Sequence, residues 1–110
     1  MSKTYALITG ASSGIGLEIA RQLAARRMHV TLVARSGDVL EEVARELTER
    51  FGVDVRTAAL DLSESDGCAA LESLIEEDER ELTLLVNNAG VGAFGSALDV
   101  SEERVRTMLR

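Results

Sequence analysis

Apolar residues fall into four short runs, separated by longer stretches in which they recur at helical spacing. Tyr5-Ala6-Leu7-Ile8 is a run of strand length. After it Ile15, Ile19 and Leu23 recur four apart with Ala20 and Ala24 beside them, one face of a helix ending near Arg26-Arg27. The run from His29 to Ala34 predicts a second strand. Leu40, Val43, Ala44, Leu47 and Phe51 then line one face of a second helix that Asp38 is placed to cap and Gly52 closes. Its other face carries Glu41, Glu42, Arg45, Glu46, Glu49 and Arg50. That is a solvated face, with Glu41–Arg45 and Glu46–Arg50 at i,i+4.

A third strand is expected over 53–60, ended by Asp61-Leu62-Ser63. Ser63 with Asp66 is a capping signal for a third helix, which points Cys68, Leu71, Leu74 and Ile75 inward. The acidic stretch from Glu76 to Glu81 reads as solvated. The run from Leu82 to Asn87 is apolar without alternation, as suits a fourth strand covered on both faces.

Alternating strands and helices call for a parallel sheet with right-handed crossovers. The expected fold is α/β, a Rossmann-type doubly wound sheet of order 3-2-1-4, with the first two helices on one face and the third on the other. Such sheets bind ligands at the carboxyl ends of their strands, where the order reverses. Thr9-Gly10, Arg35, Asp61 and Asn87-Asn88 all stand at those ends.

The first strand leads into Ile8-Thr9-Gly10-Ala11-Ser12-Ser13-Gly14-Ile15-Gly16. Gly10 is suited to turning the chain sharply, Gly14 to letting a ligand reach the backbone, and Gly16 to close packing of helix on sheet. The first turn of the helix offers unpaired N–H groups and a positive dipole end, an anion site suited to pyrophosphate. The spacing is not G-x-G-x-x-G, because Leu17, Glu18 and Ile19 follow Gly16; it is T-G-x-x-x-G-x-G.

Composition narrows the choice. The 110 residues allow one domain, shorter than a dinucleotide fold of two mononucleotide halves. A formal charge of −7 argues against nucleic acid. Lys3 is the only lysine, so phosphate contacts fall to arginine and backbone N–H groups. The single cysteine, Cys68, reads as a small core residue and fits a reducing compartment. No segment has the length of a membrane span and no signal-peptide profile opens the chain, so a cytoplasmic location is expected. His29, the only histidine, reads as a solvated surface residue and not as a catalytic base.

Asn87-Asn88-Ala89-Gly90 at the end of the fourth strand, with the glycine loop and Asp61-Leu62, resembles the short-chain dehydrogenase/reductase family. The resemblance spans the whole chain and corresponds to the first, cofactor-binding half of a typical member, so 1–110 is expected to be that half of a domain. It implies that Gly10, Ser12, Ser13, Gly14, Ile15 and Gly16 hold a cofactor pyrophosphate and that Asp61 and Leu62 lie by the adenine. It also implies that Asn88, Ala89 and Gly90 brace the sheet beside the ribose. Val33-Ala34-Arg35-Ser36 has no carboxylate where NAD users carry one, which points to NADP over NAD through Arg35.

The family's Tyr-x-x-x-Lys pair is absent. Tyr5 and Lys3 are the only residues of their types and neither fits its place. Ser101, with Val105, Met108 and Leu109, looks like the start of the helix that carries the family's Asn. The chain alone is therefore expected to bind a dinucleotide without catalysing hydride transfer, with a small-molecule substrate only in a full-length form. Leu84-Leu85-Val86 at a sheet edge is expected to favour self-association. The alternative is a non-catalytic nucleotide-binding or interaction module.

Overall fold

The structure is a computed structural model that describes residues 3–88. Four strands alternate with three helices: β1 (Thr4–Thr9), α1 (Gly14–Ala25), β2 (His29–Ala34), α2 (Gly37–Phe51), β3 (Val55–Ala59), α3 (Ser65–Glu77) and β4 (Glu81–Val86). The sheet order is β3-β2-β1-β4, and every pairing is parallel. This is the Rossmann-type arrangement. Among the described residues no helix is long and apolar enough to cross a membrane.

The sheet splits the core in two. Ala6, Ile8, Val30 and Leu32 face α1 and α2, against Leu40, Val43 and Leu47. Tyr5, Leu7 and Val33 face α3, against Cys68, Leu71 and Ile75. Full burial of a large aliphatic side chain contributes roughly 1.5–3 kcal/mol, so these two layers hold the strands in place. Cys68 is the small core residue expected, its Sγ donating to the Leu62 carbonyl at 3.3 Å.

Several local expectations need correction. The buried line of α1 is Gly16, Ala20 and Ala24, while Ile15 is 70% exposed. Small residues let the helix lie close on the sheet, with Ile19 and Leu23 half-buried at the side of that contact and packed on the core as expected, and only Ile15 turned outward. The N-cap position of α2 is Ser36, and Asp38 sits within the first turn. Glu46 pairs with Arg50 as expected but also with Arg21 of α1, and Glu41–Arg45 is not among the ion pairs of the described residues. On α3, Leu74 is 36% exposed.

His29 is half-buried, not solvated. Its Nδ1 accepts the Asp54 N–H at 2.9 Å, a donor that the ladder would otherwise use. β3 therefore begins at Val55, later than expected.

β4 contains a bulge. Tyr5 pairs with Leu82 and Ala6 with Leu84, leaving Thr83 as an extra residue whose hydroxyl donates to the Tyr5 carbonyl at 3.3 Å. Leu82 and Leu85 consequently pack on the α3 side and Leu84 and Val86 on the other, so both faces of β4 are used.

The acidic stretch before β4 is not wholly solvated. Asp78 and Arg80 side chains are 8% and 6% exposed and meet in a two-pronged pair of 2.7 and 2.9 Å. The Arg80 guanidinium also lies 4.3 Å from the centre of the Tyr5 ring. Its hydrogen bond, more than any other influence, holds the Asp78 carboxyl below the usual carboxylate range.

α1 ends without glycine. Arg27 N–H donates to Ala24 O and Met28 N–H to Leu23 O, a Schellman closure that forces Arg27 to φ 69°. Arg27→Gly should raise stability by up to about 1 kcal/mol, the left-handed penalty less the added flexibility of the unfolded chain. Urea midpoints of the two proteins measure this.

Asp78 predicts a pH dependence. Its carboxyl is depressed on folding, so its contribution is fully present above the unfolded carboxylate range and lost as pH falls through the lower folded value. Asp78→Asn should therefore cost about 1–3 kcal/mol near pH 7. The gap from the parent should close in urea unfolding below about pH 4.

Candidate functional site

The site forms where β1 and β4 diverge. β1 ends at Thr9, which is fully buried although polar. Its hydroxyl donates to the Val86 carbonyl at 3.3 Å and accepts the Asn88 N–H at 2.9 Å. Asn88 Nδ2 donates in turn to the Gly10 carbonyl at 3.4 Å. The ends of the two strands are thus tied side chain to backbone in both directions.

Gly10 leaves the strand at φ 63°, and the Ala11 N–H closes the turn on Val33 O at 3.2 Å. Gly16 lies against that turn. A Cβ on Gly16 would collide with the Gly10 carbonyl and come within 2.7 Å of Asn88 Nδ2. Gly14, at φ 59°, has nothing within 4 Å of where its Cβ would be. The three glycines thus separate into a turn, an open approach and a close contact, as their spacing suggests.

Ser13 occupies the N-cap position of α1 without making a side-chain cap, and the first turn holds no acidic residue. The first N–H groups of the helix and its positive dipole end therefore have no side-chain cap among the described residues, an arrangement that suits a phosphate. Ser12 is half-buried in the same turn, and Ser13 and Ile15 are exposed there.

Two strands complete the rim. Arg35 follows β2, is exposed, and has no hydrogen bond or ion pair among the described residues. Asp61 follows β3. Its Oδ1 accepts both the Ser63 hydroxyl at 2.6 Å and the Ser63 N–H at 3.0 Å. The hydroxyl bond chiefly, then the N–H bond and more weakly the charge of Arg35, hold the Asp61 carboxyl below its usual range. Ser63 is thereby drawn away from capping α3, whose N-cap position is Glu64. Leu62 is buried toward α3, and its carbonyl accepts the Cys68 Sγ.

This geometry has clear counterparts. The sequence profile of the short chain dehydrogenase family matches residues 4–110. The chain belongs to the short-chain dehydrogenase/reductase family. A very-long-chain 3-oxoacyl-CoA reductase of Eremothecium gossypii is 38% identical over 109 residues, covering 96% of this chain and 30% of that protein. The L-sorbose reductase of Gluconobacter frateurii, solved with NADPH and L-sorbose, is 38% identical with a TM-score of 0.76, over 98% of this chain and 46% of that one. A short-chain dehydrogenase of Sphingobium yanoikuyae, solved with NADPH, is 31% identical with a TM-score of 0.76, over 97% and 46%. The chain thus spans less than half of these solved relatives and corresponds to the N-terminal half of a short-chain dehydrogenase/reductase.

Within this member of the family, the structure brings Gly10, Ser12, Ser13, Gly14, Ile15, Gly16, Arg35, Asp61 and Asn88 to one end of the sheet. Ala89 and Gly90 lie outside the described residues, as do Ser101, Val105, Met108 and Leu109. Tyr5 is buried beneath Arg80 and Lys3 precedes β1, both at the opposite end. That end also holds a cleft of about 160 Å³ lined by Tyr5, Thr31, Arg56, Leu74 and Asp78. Among the described residues no cluster of His, Cys, Asp or Glu could hold a metal ion.

The sequence reading placed Thr9 at the strand end without its cross-strand hydrogen bonds, and passed over Gly67. Thr9 had a signal, a polar residue ending a buried apolar run. Gly67 had none, yet a Cβ there would collide with the Asp61 carbonyl, so its bareness lets α3 seat against the end of β3.

Gly16→Ala should destabilise the fold by about 1–3 kcal/mol, because its Cβ meets backbone that cannot yield. Gly14→Ala, with space around it, should cost only the left-handed penalty of about 1–2 kcal/mol while obstructing a ligand at the loop. Urea unfolding and dinucleotide titration of both variants separate the two effects.

Proposed function

We propose that this chain is the cofactor-binding part of an NADP-dependent oxidoreductase acting on a carbonyl/alcohol pair. The observation carrying the proposal is the uncapped N-terminus of α1, open at Gly14, with Arg35, unpaired among the described residues, just after the adjoining strand. The glycine loop and helix end suit a pyrophosphate, and the guanidinium suits a ribose 2′-phosphate. The Thr9–Asn88 tie fixes the floor between them. Asp61 lies beside Arg35 at the adenine side of this arrangement, with the Leu62 backbone next to it. Asn88, followed by Ala89 and Gly90, stands toward the ribose.

When bound, a nicotinamide dinucleotide supplies a hydride to a carbonyl or takes one from an alcohol. The residues of this chain bind and orient that group. Relatives named as reductases of 3-oxoacyl-CoA and of L-sorbose, the latter solved with NADPH, support a ketone as the substrate class. The proton accompanying the hydride needs a general acid at the substrate oxygen. Neither Tyr5 nor Lys3, at the far end of the sheet, is placed to supply it.

Arg35→Ala tests the cofactor assignment. Charge-assisted hydrogen bonds contribute about 1.5–3 kcal/mol, so NADP affinity should fall roughly ten- to a hundredfold with NAD almost unchanged. Arg35→Asp should go further and favour NAD, since its carboxylate repels the phosphate and accepts from ribose hydroxyls. Arg45, on the outer face of α2, is the control. Equal losses for NAD and NADP in Arg35→Ala, read by calorimetry, would withdraw the preference for NADP.

A further inference from the structure

We infer that Asp54, Arg56, Asp78 and Arg80 form one ionic latch, which holds the amino-terminal half of β3 on the sheet and is released by salt. The inference stands apart from the dinucleotide reading and concerns the opposite end of the sheet.

The four charges close a ring. Arg56 reaches Asp54 at 3.4 Å and Asp78 at 3.6 Å, while Arg80 reaches the same two carboxylates at 3.5 and 2.7 Å. Each guanidinium thus faces both carboxylates, and each carboxylate both guanidiniums. The ring is graded in depth. Asp78 and Arg80 are buried, with the Tyr5 ring against Arg80 and the Thr31 hydroxyl accepting from it at 3.4 Å. The Asp54 and Arg56 side chains reach solvent.

β3 is where such a latch matters. It is an edge strand with no buried residue, whereas β1 and β2 each bury five of six. Its carboxyl end is fixed by the Leu60 N–H, which donates to the Ala34 carbonyl at 2.9 Å, and by buried Leu62. Beyond buried Val53, its amino end depends on polar ties. The Asp54 N–H donates to His29 Nδ1, the Val30 N–H donates to the Asp54 carbonyl at 3.1 Å, and the ring holds the Asp54 carboxylate. Three of the four contacts in the ring are long and include an exposed partner, and such pairs are weak and screened. The buried pair of Asp78 and Arg80 is short and shielded. Salt should therefore free Asp54 and Arg56 while that pair stays closed. Losing one outer charge leaves the other three unbalanced, whereas losing both leaves a matched pair, so Asp54 and Arg56 should act as a unit.

The other reading is a set of unrelated surface ion pairs beside a strand held by its ladder. Amide hydrogen exchange of the 110-residue chain separates the two. The Val30 N–H reports the amino end of β3, and the Leu60 N–H is the control at the other end. In about 1 M sodium chloride the screening length falls to about 3 Å. Relative to low salt, Val30 protection should then drop roughly two- to tenfold, with no drop at Leu60. Asp54→Asn and Arg56→Gln should each lower Val30 protection at low salt and abolish its dependence on salt. The double variant should be no worse than either single one. Salt-independent Val30 protection in the parent, which requires no variant to fold, overturns the inference. Additive losses in the double variant do the same. So does a drop at Leu60 that matches Val30, since the whole strand would then be opening.

Discussion

The contact on which the rest of the site depends is that of Gly16 with the carbonyl of Gly10, closed over by Asn88. It brings the first turn of α1 down onto the end of β1. The first N–H groups of the helix, which no cap side chain occupies, are thereby held at the carboxyl end of the sheet. A side chain at residue 16 would lift the helix and carry the anion site with it. Thr9 serves the same end from below, since its hydroxyl is both donor and acceptor and can tie β4 to β1 where their ladder stops. The open space at Gly14 follows from these two close contacts.

Electrostatics at the site run against the charge of the molecule. The chain carries a formal −7, yet the ligand inferred for it is an anion. Much of that acidity lies on the outer faces of α2 and α3, and fields between exposed charges fade beyond about 8–10 Å at ordinary ionic strength. Locally the balance differs. The first turn of α1 has no acidic residue, Arg35 makes no hydrogen bond or ion pair among the described residues, and Asp61 has one oxygen occupied by Ser63. Buried charge elsewhere is matched, with Asp78 and Arg80 paired at the opposite edge. The sheet therefore separates an ion-paired staple at its amino end from a rim at its carboxyl end where Arg35, the Asp61 carboxylate and the first turn of α1 stand.

Much of this was legible in the sequence because it rests on local pattern. Four apolar runs, three helical periods and the placement of Gly10, Gly14 and Gly16 suffice for the sheet order and the loop. What could not be read depends on which partner a group finds. His29 looks like a surface residue until its Nδ1 meets the Asp54 N–H. Arg80 sits in an acidic run that reads as solvated, yet Asp78 and the Tyr5 ring take it inside. Ile15, Ile19 and Leu23 trace one periodic face of α1, of which Ile19 and Leu23 pack on the core, whereas Ile15 is exposed because the close approach is made through Gly16, Ala20 and Ala24. The bulge at Thr83 has no sequence signature either; it arises because β4 places one residue more than β1 between two fixed pairings. At the site, the glycine loop was visible in full, whereas Thr9, Ser63 and Gly67 act through contacts between elements.

The central claim is that a dinucleotide lies across the carboxyl ends of the strands with its pyrophosphate on α1. Amide NMR of the chain titrated with NADP tests this most directly, residue by residue. The account predicts the largest shifts at the N–H groups of Ser12 to Gly16, with a second set at Arg35 and at Asp61 to Ser63. Arg56 and Arg80 at the opposite edge should be unmoved. Shifts concentrated around Arg56, Asp78 and Arg80, or none in the glycine loop at saturating nucleotide, would contradict it.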